Sequence, residues 1–227
     1  MEKDQKQANT SSSVPGVSSD AGGFACRFPG VICGRNKTPQ QLKKEFYTLL
    51  EEFDSVIAVK VDEPGGTALI TAFPEGEYDP TAQVFIIRPA AAFPAGVFIL
   101  ASGREDLPAA LEAKYALAAC GAESTMVLTR GGAEPGSLAE LQGRLRSAAA
   151  CIAVAGTDTA LPALAARMTQ IPVIALPVSV GGTGALGGLM SLAGSLSCAG
   201  TGLAVVSADD GLGAGFAAAR IINSKTF

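Results

Sequence analysis

The chain has 227 residues, 48% of them hydrophobic and 6% aromatic, with 27 glycines, no Trp and a formal net charge of −4 at pH 7. That supplies a core of ordinary size built on close backbone packing, and it predicts an α/β fold rather than a sandwich of large rings. The negative balance leaves no basic field for nucleic acid, and the absence of histidine removes His-ligated metals, Ser-His and Cys-His pairs and imidazole acid/base chemistry together.

Residues 1–23 mix acidic and basic side chains without an apolar segment, which fits neither a secretion signal nor a transit peptide and predicts a disordered tail. The cysteines Cys26, Cys33, Cys120, Cys151 and Cys198 are odd in number, widely spaced and without a C-x-x-C pair, so a reducing, cytoplasmic compartment is expected. Thr38-Pro39 reads as a helix start, followed by Leu42, Phe46, Leu49 and Phe53 at helical spacing. Three strand-like runs come next: SVIAVKV from Ser55, TALITAF from Thr67 and QVFIIR from Gln83. Together these make a small α/β module over residues 24–93.

From residue 94 to 227 strands and helices alternate: GVFILAS, a helix from Leu107 to Cys120 ended by Gly121, STMVLT, and a helix around Ser137 to Ala148. Then come ACIAVAG, a helix near Leu161 to Met168, PVIALPV, a helix near Leu186 to Ser197, GLAVVS, and a last helix from Gly213 to Asn223. Five nearly continuous apolar strands alternating with helices predict a doubly wound parallel sheet in three αβα layers, with ligands beyond the carboxyl ends of the strands. The uncharged stretch from Met168 to Ala208 is long enough to cross a bilayer, but Pro172, Pro177 and the glycines after Val180 divide it into strand, turn, helix and strand. No membrane partner is expected.

Two strand exits resemble each other, SGREDLPAALEA from Ser102 and AGTDTALPALAA from Ala155. Each passes a glycine and an Asp and enters a helix at Leu-Pro. Capping accounts for that pattern; so does a pair of helix N-termini converging on an anionic ligand. The segment Gly182-Thr183-Gly184-Ala185-Leu186-Gly187 matches G-x-G-x-x-G, with Asp209 about twenty residues on. Only one helix follows Asp209, so a Rossmann half cannot be completed and a nicotinamide dehydrogenase is disfavoured.

Six segments in order, FPGVICGRNKTPQQL, SGREDLP, AGTDTALP, PVIALPVSVGGTGALGGL, SLSCAGTGLAVV and DDGLGAGFAAARI, lie within residues 24–223. Together they resemble the N-terminal segment, the two strand-exit boxes, the glycine loop and the closing segments of the LarB family. The resemblance implies a C-terminal domain like that of the purine-pathway carboxylase PurE, assembled as an octamer. It also implies carboxylation of nicotinic acid adenine dinucleotide by carbon dioxide or bicarbonate, with phosphoanhydride hydrolysis, in the synthesis of the nickel-pincer cofactor. No tightly bound cofactor is implied, and the substrate leaves room for Mg2+.

The resemblance puts the family's nucleophilic cysteine on Cys198 and its acid/base carboxylate on Asp158, where the family usually carries Glu. Ser102, Gly103, Asp106, Gly156, Ser179, Gly181, Gly182, Gly184, Asp209 and Gly211 would border the substrate. Departures are Gly30 in place of an acid, Lys60 and Gln83 in place of arginines, Gly182 in place of a Tyr, and the lack of a His-Arg pair in LTRGGAEPGSLAELQ. Two other readings stay open: an aminoimidazole ribonucleotide carboxylase or mutase, and a non-catalytic homologue that binds nucleotide or serves as a scaffold.

Overall fold

The computed structural model describes residues 28–88, 93–129, 141–156, 158–179, 185–198 and 202–224. The tail expected over residues 1–23 and the glycines Gly181, Gly182 and Gly184 lie outside them.

The N-terminal module comprises β1 (Gly30–Cys33), α1 (Pro39–Leu50), β2 (Val56–Val59), α2 (Glu63–Ala72), β3 (Glu77–Asp79) and β4 (Val84–Ile87). Its sheet runs β1-β2-β4-β3, with β1 parallel to β2 and the other pairs antiparallel. The start expected at Thr38-Pro39 is a complete capping box: Gln41 N donates to Thr38 Oγ1 and Thr38 N to Gln41 Oε1. The helix then buries Leu42 and Phe46, the latter edge-on to Phe85 at 5.1 Å between ring centroids.

The run from Thr67 is a helix, not the strand its apolar residues suggested. Asp62 caps it through Gly65 N at 2.9 Å, Pro64 occupies its first turn, and Thr71 Oγ1 bonds back to Thr67 O. A short apolar run does not by itself separate helix from strand, and the start signal upstream decides it.

The larger unit has β5 (Phe93–Ala101), α3 (Leu107–Ala119), β6 (Ala122–Leu128), β7 (Ala150–Ala155), α4 (Leu161–Met168), β8 (Val173–Pro177), α5 (Ala185–Leu196), β9 (Ala204–Val205) and α6 (Gly211–Ser224). Residues 141–145 are helical between β6 and β7. All five strands are parallel in the order β6-β5-β7-β8-β9, so the expected parallel α/β sheet is present. Successive residues of each strand face opposite layers. Val97, Ile99, Ile152 and Val154 pack with Ala113, Leu117 and Ala218 of α3 and α6, whereas Leu100, Cys151 and Ala153 pack with Leu145, Leu161 and Ala165. Gly121 ends α3 with φ +74°, a conformation open to glycine at little cost.

Helix α3 is shared by both units. Its Tyr115 and Ala119 close over Ile57, Val59, Val84 and Ile86 of the first sheet. The Tyr115 hydroxyl donates to Glu77 Oε1 at 2.8 Å and Asp79 Oδ2 at 3.1 Å, and Arg88 pairs with Glu77. Burial, then the bond to Glu77 and the charge of Asp79, raise the Tyr115 pKa, so the hydroxyl stays a donor at physiological pH. Phe28 adds a second tie, packing edge-on to Phe216 with Arg220 over its ring at 4.7 Å.

The described thiols differ sharply in access. Cys33 is exposed, Cys198 half-buried, Cys120 and Cys151 buried, and burial pushes Cys151 up to about 12. Iodoacetamide at pH 8 is expected to modify Cys33 fastest and Cys198 next, and Cys120 and Cys151 only on unfolding, as peptide mapping would read. Modification of native Cys151 at the rate of Cys33 would contradict the packing.

Candidate functional site

Numbered along the chain, the parallel sheet has the order 2-1-3-4-5, and its first strand, β5, is where connections diverge: β5 leads to β6 on one side and β7 leads to β8 on the other. The crevice beyond the carboxyl ends of β5 and β7 is therefore the switch point where such sheets hold ligands. Leu100 pairs with Ala153 across it, which brings the exits at Ser102 and Gly156 side by side.

Each exit is fixed by a carboxylate. Asp106, wholly buried, accepts from Ser102 N, Ser102 Oγ and Gly103 N at 2.9 to 3.0 Å, fastening the loop that enters α3. Asp158 is half-buried after β7, and its Oδ1 takes Ala160 N at 2.9 Å just before α4. At the β8 exit, Ser179 donates to Asp209 through N at 2.8 Å and Oγ at 2.6 Å, so Asp209 joins the ends of β8 and β9. Asp209 N in turn bonds Pro177 O. Ser102, Gly103, Gly156, Asp158, Ser179 and Asp209 thus share one edge of the sheet, flanked by the N-termini of α3 and α4.

Three of the residues expected there take other positions or roles. Asp106 is spent on holding its own loop. Gly211 is buried where α6 meets α3: a Cβ on it would lie 2.5 Å from Ala109 O and 2.8 Å from Glu112 Cβ, so it serves helix packing rather than the rim of a pocket. Cys198 follows the C-terminal end of α5. Since α5 begins beyond β8 and β9 pairs Ala204 with Ile174 near the start of β8, the Cys198 turn lies at the amino-terminal edge of the sheet. Within one chain it does not join Asp158 and Ser102; proximity to the glycine loop in sequence says nothing about which end of the helix a residue occupies.

The sequence did not single out Glu112, a charge on the buried face of α3 among Ala109, Ala113 and Ala116. A carboxylate at a core position signals a partner, here Lys60 Nζ at 2.5 Å, from the end of β2. The other oxygen of Glu112 accepts Leu212 N at 3.1 Å in the first turn of α6. Lys60 also reaches Asp209 O at 3.4 Å. Lys60 and Asp209 hold left-handed φ values of +57° and +58°, each costing a side-chain-bearing residue roughly 1–2 kcal/mol. Among the described residues no three Cys, Asp or Glu side chains gather as a metal site, and no helix is long and apolar enough to cross a membrane.

The AIR carboxylase family model matches residues 96–226, and a model of the LarB/PurE-like N-terminal domain matches residues 25–89. The chain is 37% identical over 127 residues to an uncharacterized protein of Methanocaldococcus jannaschii. That match covers 55% of this chain and 48% of the relative, so this chain spans about half the length of the curated relative it matches.

Proposed function

The chain belongs to the AIR carboxylase family, with a LarB/PurE-like N-terminal domain, and from that premise we propose that it carboxylates the pyridinium ring of nicotinic acid adenine dinucleotide and hydrolyses the phosphoanhydride. The observation that carries the reading is the common edge at the switch point, where Ser102, Gly103, Asp158, Ser179 and Asp209 stand beside two helix N-termini suited to a dinucleotide's phosphates.

A pyridinium ring is too electron-poor to attack carbon dioxide. Addition of the Cys198 thiolate gives an enamine-like dihydropyridine, whose carbon forms the new C–C bond to carbon dioxide. Asp158 takes the proton from that carbon, and the C–S bond breaks to restore the aromatic ring and the thiolate. Water then cleaves the phosphoanhydride. The ring exchanges a hydrogen for a carboxylate, without net oxidation or reduction.

Because Cys198 and Asp158 stand at opposite edges of one sheet, Cys198 is supplied by a neighbouring copy. The uncharged helix α5 supports this, with Leu189, Met190 and Leu196 59%, 72% and 66% exposed, an apolar face that a second copy would cover. The reading includes a homo-oligomer in the cytoplasm.

Incubation of the purified protein with nicotinic acid adenine dinucleotide and bicarbonate, followed by mass spectrometry, is expected to give a carboxylated mononucleotide and AMP. A parallel incubation with aminoimidazole ribonucleotide addresses the purine reaction, which the match over residues 96–226 favours and the complete lack of histidine opposes. Nucleotide binding without product from either substrate would leave a binding homologue.

A further inference from the structure

We propose that Lys60 is a positioning residue, through which the N-terminal module holds the Ser179–Asp209 clamp of the site in place. This goes beyond the carboxylation reading and depends on it only for the kinetic part of its test.

The observations form one connected path. Lys60 leaves the end of β2 in a left-handed conformation and places its ammonium between two acceptors of the other unit, Glu112 Oε2 and Asp209 O. Glu112 is buried and holds Leu212 N, so the same cation neutralises the carboxylate that fastens the start of α6. Asp209, held at its carbonyl by Lys60, uses both carboxylate oxygens on Ser179, the last described residue before the glycine loop. Asp210 Oδ1 takes Gly213 N, so the turn between β9 and α6 is anchored on both sides. A displacement of Lys60 therefore passes through hydrogen bonds of the Glu112, Asp209 and Ser179 side chains to the wall of the crevice, and not through general packing. The module that carries Lys60 contributes no other described side chain to this path.

The test uses the full chain and amide hydrogen exchange followed by NMR, which reads Ser179 and Leu212 without substrate. Lys60→Met alone strands a buried carboxylate and can unfold the protein. The diagnostic variant is Lys60→Met with Glu112→Gln, whose amide oxygen still accepts Leu212 N. Exchange at Ser179 is expected to quicken about tenfold or more while amides of β7 keep their protection. Lys60→Arg should stay close to wild type, and Tyr115→Phe, which removes the hydroxyl that bonds Glu77 and Asp79 across the units, should leave Ser179 unchanged. With nucleotide, the double variant should raise KM several-fold more than it lowers kcat, and Lys60→Arg should restore both.

Unchanged exchange at Ser179 in the double variant overturns the proposal, as does equal loss of protection at Ser179 and β7, which would mark loosened packing. Lack of product from the wild type overturns the carboxylation reading and leaves the exchange result to decide this one.

Discussion

Cys198→Ser and Asp158→Asn, each inactive alone, are expected to regain carboxylation when refolded together. The single substitutions should lower turnover at least about a thousandfold, because one removes the nucleophile and the other the proton acceptor, while nucleotide binding stays within a few-fold. The hydroxyl of Ser fills the space of the thiol, and Asn that of Asp. If Cys198 of one copy meets Asp158 of another, random mixing gives both native groups to about one quarter of the sites. Recovery near that fraction, measured by product formation, supports assembly of the site between copies. A mixture as inactive as its components means that both groups act from one chain and that the chain must rearrange to bring the edges together. Full activity of Cys198→Ser alone removes the covalent step.

Gly211→Ala should cost about 3 kcal/mol, a large effect for one methyl group. The added carbon lies 2.5 Å from Ala109 O and 3.1 Å from Ala113 N, both backbone atoms of α3 that no rotamer change can move aside. Separation of α3 from α6 would also pull Leu212 N from Glu112. In a chain of this size the midpoint of thermal unfolding should fall by about 10 °C. Gly143→Ala is the control of opposite sign: nothing lies within 4 Å of the new methyl, in a helical stretch where Ala is favoured over Gly by about 1 kcal/mol. A Gly211→Ala protein as stable as wild type would refute the close packing of the two helices.

The parallel domain was legible because most of its strands are apolar runs bounded by glycine or proline, with helices between carrying their own start signals. Ser102, Asp158, Ser179 and Asp209 could be placed on one edge for the same reason, since every parallel strand exits on the same side. The three-residue β3 is too short for a period to show, and β1 offers only Val31 and Ile32 between Gly30 and Cys33. Glu112 and Lys60 pair across 52 positions, a distance over which no local pattern operates. Asp106 looked like a ligand residue because an Asp after a glycine turn has the same spelling whether it faces solvent or its own loop. Only the burial of its carboxylate separates the two.

Sharing α3 between both sheets bears on how the chain is made. During synthesis the first module leaves the ribosome before the helix that covers it, so the apolar face of Ile57, Val59, Val84 and Ile86 waits for Tyr115 and Ala119. At about 5–20 residues per second that wait lasts seconds, far longer than the microseconds in which the module's own helices and hairpin form. For that interval the nascent chain carries a formed sheet with one bare side, a surface that invites a chaperone or a second nascent copy.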